Sequence, residues 1–333
     1  MKKIEWGVMG TAIIAVEQLI PAIKASKYAR IGAIASRSID KAEAVKRQFE
    51  IPKAYEGYDS LLKDSDIDAI YIPLPNHLHV SWAIKALQAG KHVLVEKPVA
   101  LDASEARQLL DEAGKHPHLH VMEAFMYKFH PQWKDIKDQI IKGAIGDVKM
   151  IQSSFSFYDD QPDSIVYKKG MGGGSLMDVG CYPVSVARYL YDDEPSHVQA
   201  VMEYHPQYGV DIHASGIMEF EKGRSVFFSS IQMMEHQEVM ILGTKGKIYV
   251  PLPFNPPLDE PTTYVLETDH EKVVVKIEAE NQYQNQIDVF SEAVLNRKKL
   301  PVSLADAVKN MDVIDALHQS ARLNERTELR SGR

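Results

Sequence analysis

Short apolar runs alternate with amphipathic segments along the first third of the chain. The apolar runs have the length of strands and occupy residues 4–9, 31–35, 69–72, 93–95 and 120–122. The amphipathic segments have the periodicity of helices and occupy residues 12–24, 39–49, 77–89 and 103–113. Repeated strand–helix units with short links predict an α/β fold with a parallel, doubly wound sheet and right-handed crossovers.

The pattern changes after Glu123, where predicted strands begin to follow one another directly. These strands occupy residues 148–157, 197–204, 212–220, 224–232, 236–242, 246–250, 263–268 and 272–278. The predicted helices of this part occupy residues 131–143, 175–191, 283–295 and 303–322, and a Pro-rich loop spans 251–261. Consecutive strands with short turns indicate a large, mostly antiparallel open sheet.

The length of 333 residues predicts two domains. We place the doubly wound domain at residues 1–122 and an α+β domain at residues 123–333. Packing of the last helix against the first domain is left open. The polar segment 325–333 is expected to fray.

Composition and charge narrow the class of protein. Hydrophobic residues make up 45% and charged residues 25%, which is typical of a globular protein. The net charge of −8 argues against a nucleic-acid partner, because no basic excess is available to neutralise phosphates. No segment of 18 uninterrupted apolar residues is present, so no membrane span is predicted. The single cysteine, Cys181, favours a reducing compartment and a cytoplasmic location.

The first predicted strand runs into a glycine-containing turn typical of dinucleotide sites. The spacing Gly10-x-Ala12-x-x-Ala15 overlays a G-x-G-x-x-G fingerprint, with Thr11 and Ile13 between the key positions. In that fingerprint the first glycine makes the turn, and the phosphates lie at the helix N-terminus. Alanine at the second position is a departure, and an ordinary strand-to-helix turn is the alternative.

The end of the second strand indicates which dinucleotide is bound. An NAD site usually has an acid here for the ribose 2′-hydroxyl, whereas this chain has Ser36 and Arg37. A guanidinium binds a phosphate dianion through two hydrogen bonds, and Lys41 adds a second positive charge. The pattern therefore favours NADP, with NAD as the alternative.

Two further loops at this edge supply candidate cofactor contacts. Pro73 and Leu74 lead from the 69–72 strand into a helix, with Asn76 at its start. His79 is expected to line a ligand pocket. No metal is predicted, because His77 and His79 have no third ligand nearby at metal spacing.

The strand at residues 93–95 leads into Glu96-Lys97-Pro98. The carboxyl end of a parallel strand is where α/β proteins bind ligands. Pro98 disfavours the helical region for Lys97 and so fixes the backbone that carries the amine. A surface lysine in a turn is the alternative for this tripeptide taken alone.

A second chemical segment follows the glycines at 170–174. Asp178 and Tyr182 are four residues apart, a spacing that places both on one face of a helix. A carboxylate and a phenol on one face can handle protons, since a nearby ammonium lowers the pKa of a phenol. Structural capping and packing by the two residues is the alternative. Cys181 is expected to be buried.

These segments together resemble the Gfo/Idh/MocA oxidoreductase family. The resemblance rests on Trp6 to Ala12, on Glu96-Lys97-Pro98, on Glu123 to Pro131 and on Asp178-x-Gly180-x-Tyr182. It implies an N-terminal Rossmann domain, a cis peptide before Pro98, and a homodimer or dimer of dimers formed through the C-terminal sheet. Many members have histidine where this chain has Tyr182. The tyrosine form resembles dimeric dihydrodiol dehydrogenase, glucose–fructose oxidoreductase and NADP-dependent sugar dehydrogenases.

The resemblance implies an NAD(P)-dependent oxidoreductase acting on a hydroxyl or carbonyl carbon of a sugar, polyol or cyclic diol. Tyr182 and Lys97 would handle the hydroxyl proton, with their roles exchangeable, and Asp178 would orient one of them. Glu96 and Lys97 would also contact the cofactor, and Tyr127 and Tyr158 the substrate. A catalytically silent nucleotide-binding sensor or regulatory protein is the alternative from another class. An NAD-dependent inositol-type dehydrogenase would instead have an acid near residue 36 and a histidine at 182.

Overall fold

Six parallel strands form the first sheet of the computed structural model, which describes residues 2–329. The strands are β1 Ile4–Met9, β2 Ala29–Ser36, β3 Lys53–Glu56, β4 Ala69–Ile72, β5 His92–Val95 and β6 Val121–Glu123, in the spatial order 3-2-1-4-5-6. The associated helices are α1 Ile20–Ala25, α2 Ile39–Phe49, α3 Tyr58–Leu62, α4 His79–Gln88 and α5 Ala103–Lys115. The predicted doubly wound parallel sheet is therefore confirmed.

Strand β3 of this sheet and the short helix α3 were not predicted from the sequence. β3 has the sequence Lys-Ala-Tyr-Glu, and none of its residues is fully buried. It lies at the edge of the sheet beside β2, where a strand needs little apolar character. α3 follows at once and has only five residues, too few to show helical periodicity.

Nine strands form the second sheet. They are β7 Val148–Tyr158, β8 His197–Tyr204, β9 Asp211–Glu219, β10 Arg224–Ser230, β11 Gln232–Gly243, β12 Gly246–Val250, β13 Thr262–Thr268, β14 Lys272–Ile277 and β15 Thr327–Glu328. The spatial order is 14-13-12-11-7-10-9-8-15. β7 and β10 pair in parallel, and the other neighbours are antiparallel. The predicted large, mostly antiparallel sheet is confirmed.

The second sheet is accompanied by α6 Pro131–Ile141 and α7 Cys181–Tyr191. The chain ends with α8 Gln282–Asn296 and α9 Leu304–Leu323. No helix within residues 2–329 has the length and apolar character needed to cross a membrane.

The chain divides into two units by its internal contacts. The first contains residues up to Phe129 together with Asn281–Val308, and the second contains His130–Glu280 together with residues from Lys309 onwards. The sequence placed 123–129 and all of 281–308 in the second domain, so the contact-based units differ from the predicted boundaries.

Helix α8 belongs to the first unit for a physical reason. Trp6 of β1 is fully buried, and its Nε1 donates a hydrogen bond to Ser291 Oγ at 3.1 Å. The same ring lies 5.1 Å from the ring of Phe290, centroid to centroid. α8 therefore covers part of the first sheet, a contact between residues nearly 300 positions apart that local periodicity does not reveal.

The C-terminal segment is more ordered than expected as far as it is described. Thr327 and Glu328 form β15 and pair antiparallel with β8. Arg326 donates two hydrogen bonds to the carboxylate of Glu219, each at 2.9 Å. The prediction that 325–333 frays is therefore wrong for residues 326–328, and residues 330–333 lie outside the described part of the chain.

Candidate active-site residues

A cavity of about 340 Å³ opens in the first unit at the carboxyl ends of β1, β2 and β4. Its lining residues are Gly10, Thr11, Ala12, Ser36, Arg37, Ser38, Lys41, Tyr58, Pro73, Leu74 and Pro75. Strand ends of an open parallel sheet are the usual position for a bound nucleotide. Eight of the predicted cofactor residues therefore lie around one cavity, and Ser38, Tyr58 and Pro75 are additions that the sequence did not reveal.

Gly10 has the conformation and surroundings that the fingerprint requires. Its φ is +97°, and a Cβ at this position would lie 3.2 Å from Leu74 Cδ2. The following helix runs from residue 13 to Ala25 and contains a π turn at Ala15–Leu19. Ala15 is fully buried, as expected of the position that packs this helix on the strand. Ala12, which replaces the second glycine of the fingerprint, also lines the cavity.

The other end of the cavity combines positive charge with hydroxyl groups. Arg37 and Lys41 are exposed, and Ser36 Oγ accepts a hydrogen bond from Ser38 N at 3.3 Å. The Tyr58 hydroxyl is hydrogen-bonded to Arg37; burial raises the pKa of this phenol, and the guanidinium opposes the rise. None of the cavity residues named above is acidic. The arrangement suits a phosphate dianion.

Five predicted cofactor residues lie outside this cavity lining, namely Ile13, Asn76, His79, Glu96 and Lys97. Ile13 is 74% exposed at the start of the first helix. Asn76 is half-buried on the 3₁₀ turn Asn76–Leu78 that precedes α4. Glu96 is half-buried at the end of β5.

His79 supports the loops near the cavity in place of lining it. Its ring is fully buried, with Nε2 2.6 Å from the carbonyl of Leu74 and Nδ1 2.9 Å from the carbonyl of Pro98. Burial lowers the pKa of His79 to about 4, although both carbonyls oppose this change. The imidazole therefore links the loop after β4 to the turn after β5. The ring points into packed backbone, and a contact between His79 and the cofactor stays a prediction.

Lys97 lies in a turn held by acidic and phenolic side chains of the first unit. Tyr71 Oη donates to Glu96 Oε1 at 2.6 Å, and the Lys97 amide donates to Glu96 Oε2 at 3.2 Å. The Lys97–Pro98 peptide is cis, as the family resemblance implies. Burial raises the pKa of the Tyr283 phenol on α8. The charge of Glu96 adds to this rise, and the charge of Lys97 opposes it. The backbone that carries the Lys97 amine is thus fixed from several sides.

Asp178 and Tyr182 lie on one continuous helix of the second unit. This helix runs over residues 175–191, begins with a π turn at Leu176–Gly180 and continues as α7. Asp178 is in the π turn and Tyr182 is in the first turn of α7. In a π turn, four residues fall slightly short of one revolution, so the two side chains are close to one face. The predicted helix and the buried position of Cys181 are both confirmed.

An aromatic cluster fixes the ring of Tyr182. Its centroid lies 5.3 Å from that of Phe155 and 5.1 Å from that of Phe254, and these two phenylalanines stack on each other at 5.3 Å. Phe254 comes from the Pro-rich loop, and its amide donates to Gln237 Oε1 at 2.9 Å. Tyr182 is 4% exposed. The sequence did not reveal Phe155 or Phe254 as neighbours, because a loop and a distant strand supply them.

The two predicted substrate-contacting tyrosines differ in exposure. Tyr127 is fully buried in the first unit, with its ring edge-on to Phe125 at 5.6 Å. Tyr158 is 64% exposed at the end of β7. A role for either residue in substrate binding stays a prediction.

Three features define a dinucleotide-binding α/β protein. They are the order of the parallel strands, the turn at Gly10, and the positively charged cavity at the strand ends. Residues 4–125 match the oxidoreductase family described as Gfo/Idh/MocA, NAD-binding Rossmann fold. Residues 133–249 match the Gfo/Idh/MocA C-terminal domain. The chain belongs to the Gfo/Idh/MocA oxidoreductase family, so the predicted family is confirmed.

Relatives align over almost the whole chain. It is 37% identical over 331 residues to D-xylose 1-dehydrogenase (NADP(+)) 2 of Haloferax volcanii, covering 97% of this chain and 99% of that protein. It is 32% identical over 320 residues to dTDP-3,4-didehydro-2,6-dideoxy-α-D-glucose 3-reductase of Actinomadura kijaniata, covering 95% of each. The crystal structure of KijD10, a 3-ketoreductase from Actinomadura kijaniata in complex with NADP and TDP-benzene, superposes with a TM-score of 0.91. That likeness has 29% identity and covers 96% of this chain and 98% of the other.

These similarities decide between the two functional classes raised by the sequence. The family consists of oxidoreductases, and the named relatives that align over the full length are a dehydrogenase and a reductase. The prediction of an NAD(P)-dependent oxidoreductase is confirmed over that of a catalytically silent sensor.

Proposed function

We propose that the protein is an NADP-dependent oxidoreductase that transfers a hydride between nicotinamide and a carbinol or carbonyl carbon of a sugar, polyol or cyclic diol. The observation that carries the proposal is the cavity at the end of β2. It presents Ser36, Arg37 and Lys41 where an NAD site usually has an acid. The names of the xylose dehydrogenase and the KijD10 complex include NADP, which supports the same cofactor here.

The substrate class is supported by the relatives named above. One is named for oxidation of an aldose at carbon 1, and the other for reduction of a keto sugar at carbon 3. Both names describe interconversion of a sugar hydroxyl and a carbonyl. The acceptor or donor carbon of this chain's substrate therefore belongs to the same chemical class.

The chain's own residues would handle the proton while the bound nicotinamide supplies or accepts the hydride. In the reduction direction, the Tyr182 phenol would donate its proton to the substrate carbonyl oxygen, and the hydride would come from the bound cofactor. Lys97 Nζ would donate a hydrogen bond to that oxygen and so stabilise the charge that develops on it. Asp178 orients one of the two groups. The exchanged assignment, with Lys97 as the proton donor, uses the same residues.

The packing of Tyr182 suits a proton donor. Phe155 and Phe254 restrict the tilt of the ring, so the hydroxyl direction is set before substrate binds. A catalytic group held in one orientation avoids the entropic cost of finding it during the reaction. A surface tyrosine would have no such restriction.

The proposal is tested by Tyr182→Phe and Lys97→Met in steady-state assays with a panel of aldoses, ketoses, diols and dicarbonyls. We expect kcat to fall by roughly 10²–10⁴-fold in each variant, the range for loss of a general acid or base. NADPH binding, followed by its fluorescence, should be retained. Tyr189→Phe, on the same helix, and Lys85→Met, on α4, are the matched controls. Full activity in both test variants would overturn the proton-transfer roles.

For the assembly, we propose a homodimer or dimer of dimers formed through the nine-stranded sheet. Apolar side chains on four of its strands are exposed, namely Val201, Ile217, Met234 and Val274. Exposed apolar residues of this kind favour a protein–protein contact. Light scattering coupled to size exclusion would test this, and a monomer at micromolar concentration would contradict it.

A cytoplasmic location is proposed from the single buried cysteine.

A further inference from the structure

A buried carboxylate from a distant strand holds the start of the helix that carries Asp178 and Tyr182. Asp211 is the first residue of β9 and is 2% exposed. Its Oδ2 accepts a hydrogen bond from the Leu176 amide at 2.7 Å, and the Ser175 amide also donates to this carboxylate. The first amides of a helix have no partner within the helix. Asp211 supplies that partner although it lies 35 residues away in the chain.

The residues around this contact leave no other cap for the helix. Ser175 Oγ lies 2.7 Å from Ser229 Oγ, and it makes no capping hydrogen bond to the helix. Gly174 has a φ of +115°, and a Cβ there would lie 2.2 Å from Asp211 Oδ1. The chain therefore needs a glycine at this position so that the carboxylate can approach. The Gly174 carbonyl also accepts a hydrogen bond from the Asp178 amide at 3.0 Å.

The groups that face Asp211 come from α9 and β8. Burial raises the pKa of Asp211, whereas His318 of α9 and the helix amides oppose the rise. Burial also lowers the pKa of His318, and the carboxylate opposes that change. Tyr204 of β8 is paired with Asp211 across the two strands, and its pKa is raised by burial and by this carboxylate. Arg322 of α9 opposes the rise at Tyr204.

We propose that Asp211 is a positioning residue for the reaction. By fixing the Gly174 turn and the first helical amides, it sets the direction in which the helix leaves that turn. That direction determines where the Asp178 carboxylate and the Tyr182 hydroxyl lie. An error of about 1 Å in the position of a catalytic group can cost roughly 10²-fold in rate. The inference rests on the proposed function only for the role of Tyr182.

The kinetic test compares Asp211→Ala with Asp211→Asn. Alanine leaves the helix amides without a partner. Asparagine has a side chain of the same length as aspartate and keeps one acceptor oxygen. We expect kcat to fall by roughly 10- to 100-fold in Asp211→Ala, with the Kd for NADPH within about twofold of the parent value. Asp211→Asn should recover most of that loss. Asp135→Asn is the matched control, because Asp135 accepts a hydrogen bond from Tyr264 at 2.5 Å in the same unit.

A second variant covers the case in which Asp211→Ala does not fold. Gly174→Ala keeps the carboxylate but pushes it away, and it should lower kcat in the same way. Unchanged kcat in Asp211→Asn, Asp211→Ala and Gly174→Ala would overturn the inference. Equal losses of kcat and of NADPH affinity would also overturn it, because they would indicate general loss of folded protein.

A spectroscopic readout separates this inference from the proposed function. The protein is labelled with ¹³Cζ-tyrosine, and the signal of Tyr182 is assigned by its loss in Tyr182→Phe. This signal should shift or broaden in Asp211→Ala and Gly174→Ala, and it should stay unchanged in Asp135→Asn. If Tyr182→Phe is fully active, the proton-transfer role fails while the signal still reports whether Asp211 positions the tyrosine. An unchanged Tyr182 signal in both Asp211→Ala and Gly174→Ala would contradict the positioning role of Asp211.

Discussion

Arg37 is the residue that we propose to select the cofactor. It is exposed, yet the Tyr58 hydroxyl is hydrogen-bonded to it at the edge of the cavity. A guanidinium restrained in this way loses less rotational freedom when it binds a phosphate. Hydrogen bonds to charged groups contribute about 1.5–3 kcal/mol each. A 2′-phosphate would gain that free energy, and a 2′-hydroxyl would gain much less.

Arg37→Ala should therefore raise the KM for NADP by roughly 10- to 100-fold while the KM for NAD changes by less than about threefold. The measurement is steady-state kinetics with both cofactors at a fixed, saturating substrate concentration. Arg47→Ala, an exposed arginine on α2, is the control and should change neither value. Equal effects of Arg37→Ala on the two cofactors would show that Arg37 does not bind the 2′-phosphate.

At the scale of elements, the sequence predicts those strands and helices whose own residues show an apolar run or a helical spacing of apolar residues. β1, β4 and β5 are apolar runs buried along almost their whole length, and the sequence located each of them closely. β3 and β15 were missed because an edge strand needs only backbone hydrogen bonds from one neighbour. The π turns at Ala15–Leu19 and Leu176–Gly180 also leave no local signal in the apolar spacing.

The same distinction applies to the candidate site. Lys97, Arg37 and Gly10 were predictable because each follows a recognisable strand, and ligands bind at strand ends. The backbone partners of His79 could not be predicted, because its two carbonyl partners come from separate loops. Phe254 and Asp211 were not identified, since their relation to α7 depends on tertiary contacts over 35 residues or more.

The Pro-rich loop at 251–261 is an element whose anchoring can be tested. Gln237 Oε1 accepts hydrogen bonds from the amides of Phe254 and Asn255 at 2.9 and 3.0 Å. Trp133 Nε1 donates to the carbonyl of Pro253 at 2.9 Å. These contacts hold the Phe254 ring against Tyr182, so the loop is part of the support for the Tyr182 ring.

Phe254→Ala should lower the free energy of unfolding by about 3–5 kcal/mol, because it removes a fully buried ring. It should also reduce kcat with little change in NADPH affinity, since Tyr182 loses one of its two aromatic neighbours. Urea unfolding and steady-state kinetics measure the two effects. Phe228→Ala removes a half-buried ring that stacks on His236, and it serves as the control. An unchanged kcat in a folded Phe254→Ala protein would contradict the supporting role.

At the scale of the whole molecule, histidines with lowered pKa values link stability to pH. Burial is the main cause that lowers the pKa of His79, His92 and His130, each to about 4. An unfolded histidine titrates near 6.5, so between about pH 6.5 and 4 the unfolded chain binds more protons than the folded one. The stabilisation from the neutral rings is complete above about pH 6.5 and is lost as the pH falls towards 4. Because His79 and His92 are in the first unit and His130 is in the second, both units should weaken in acid.

His79 allows this linkage to be measured at one position, because its ring is completely buried. Because the folded pKa of His79 is about 4, this residue should lower the free energy of unfolding by about 2 kcal/mol when the pH falls from 7.5 to 5. His79→Gln keeps a side-chain N–H for the Leu74 or Pro98 carbonyl but cannot titrate in this range. Its unfolding free energy in urea should therefore fall by about 2 kcal/mol less than that of the parent over this interval. His270→Gln, an exposed position, should leave the parent's pH dependence unchanged. If His79→Gln and the parent lose the same stability between pH 7.5 and pH 5, the buried ring is not the group that takes up the proton.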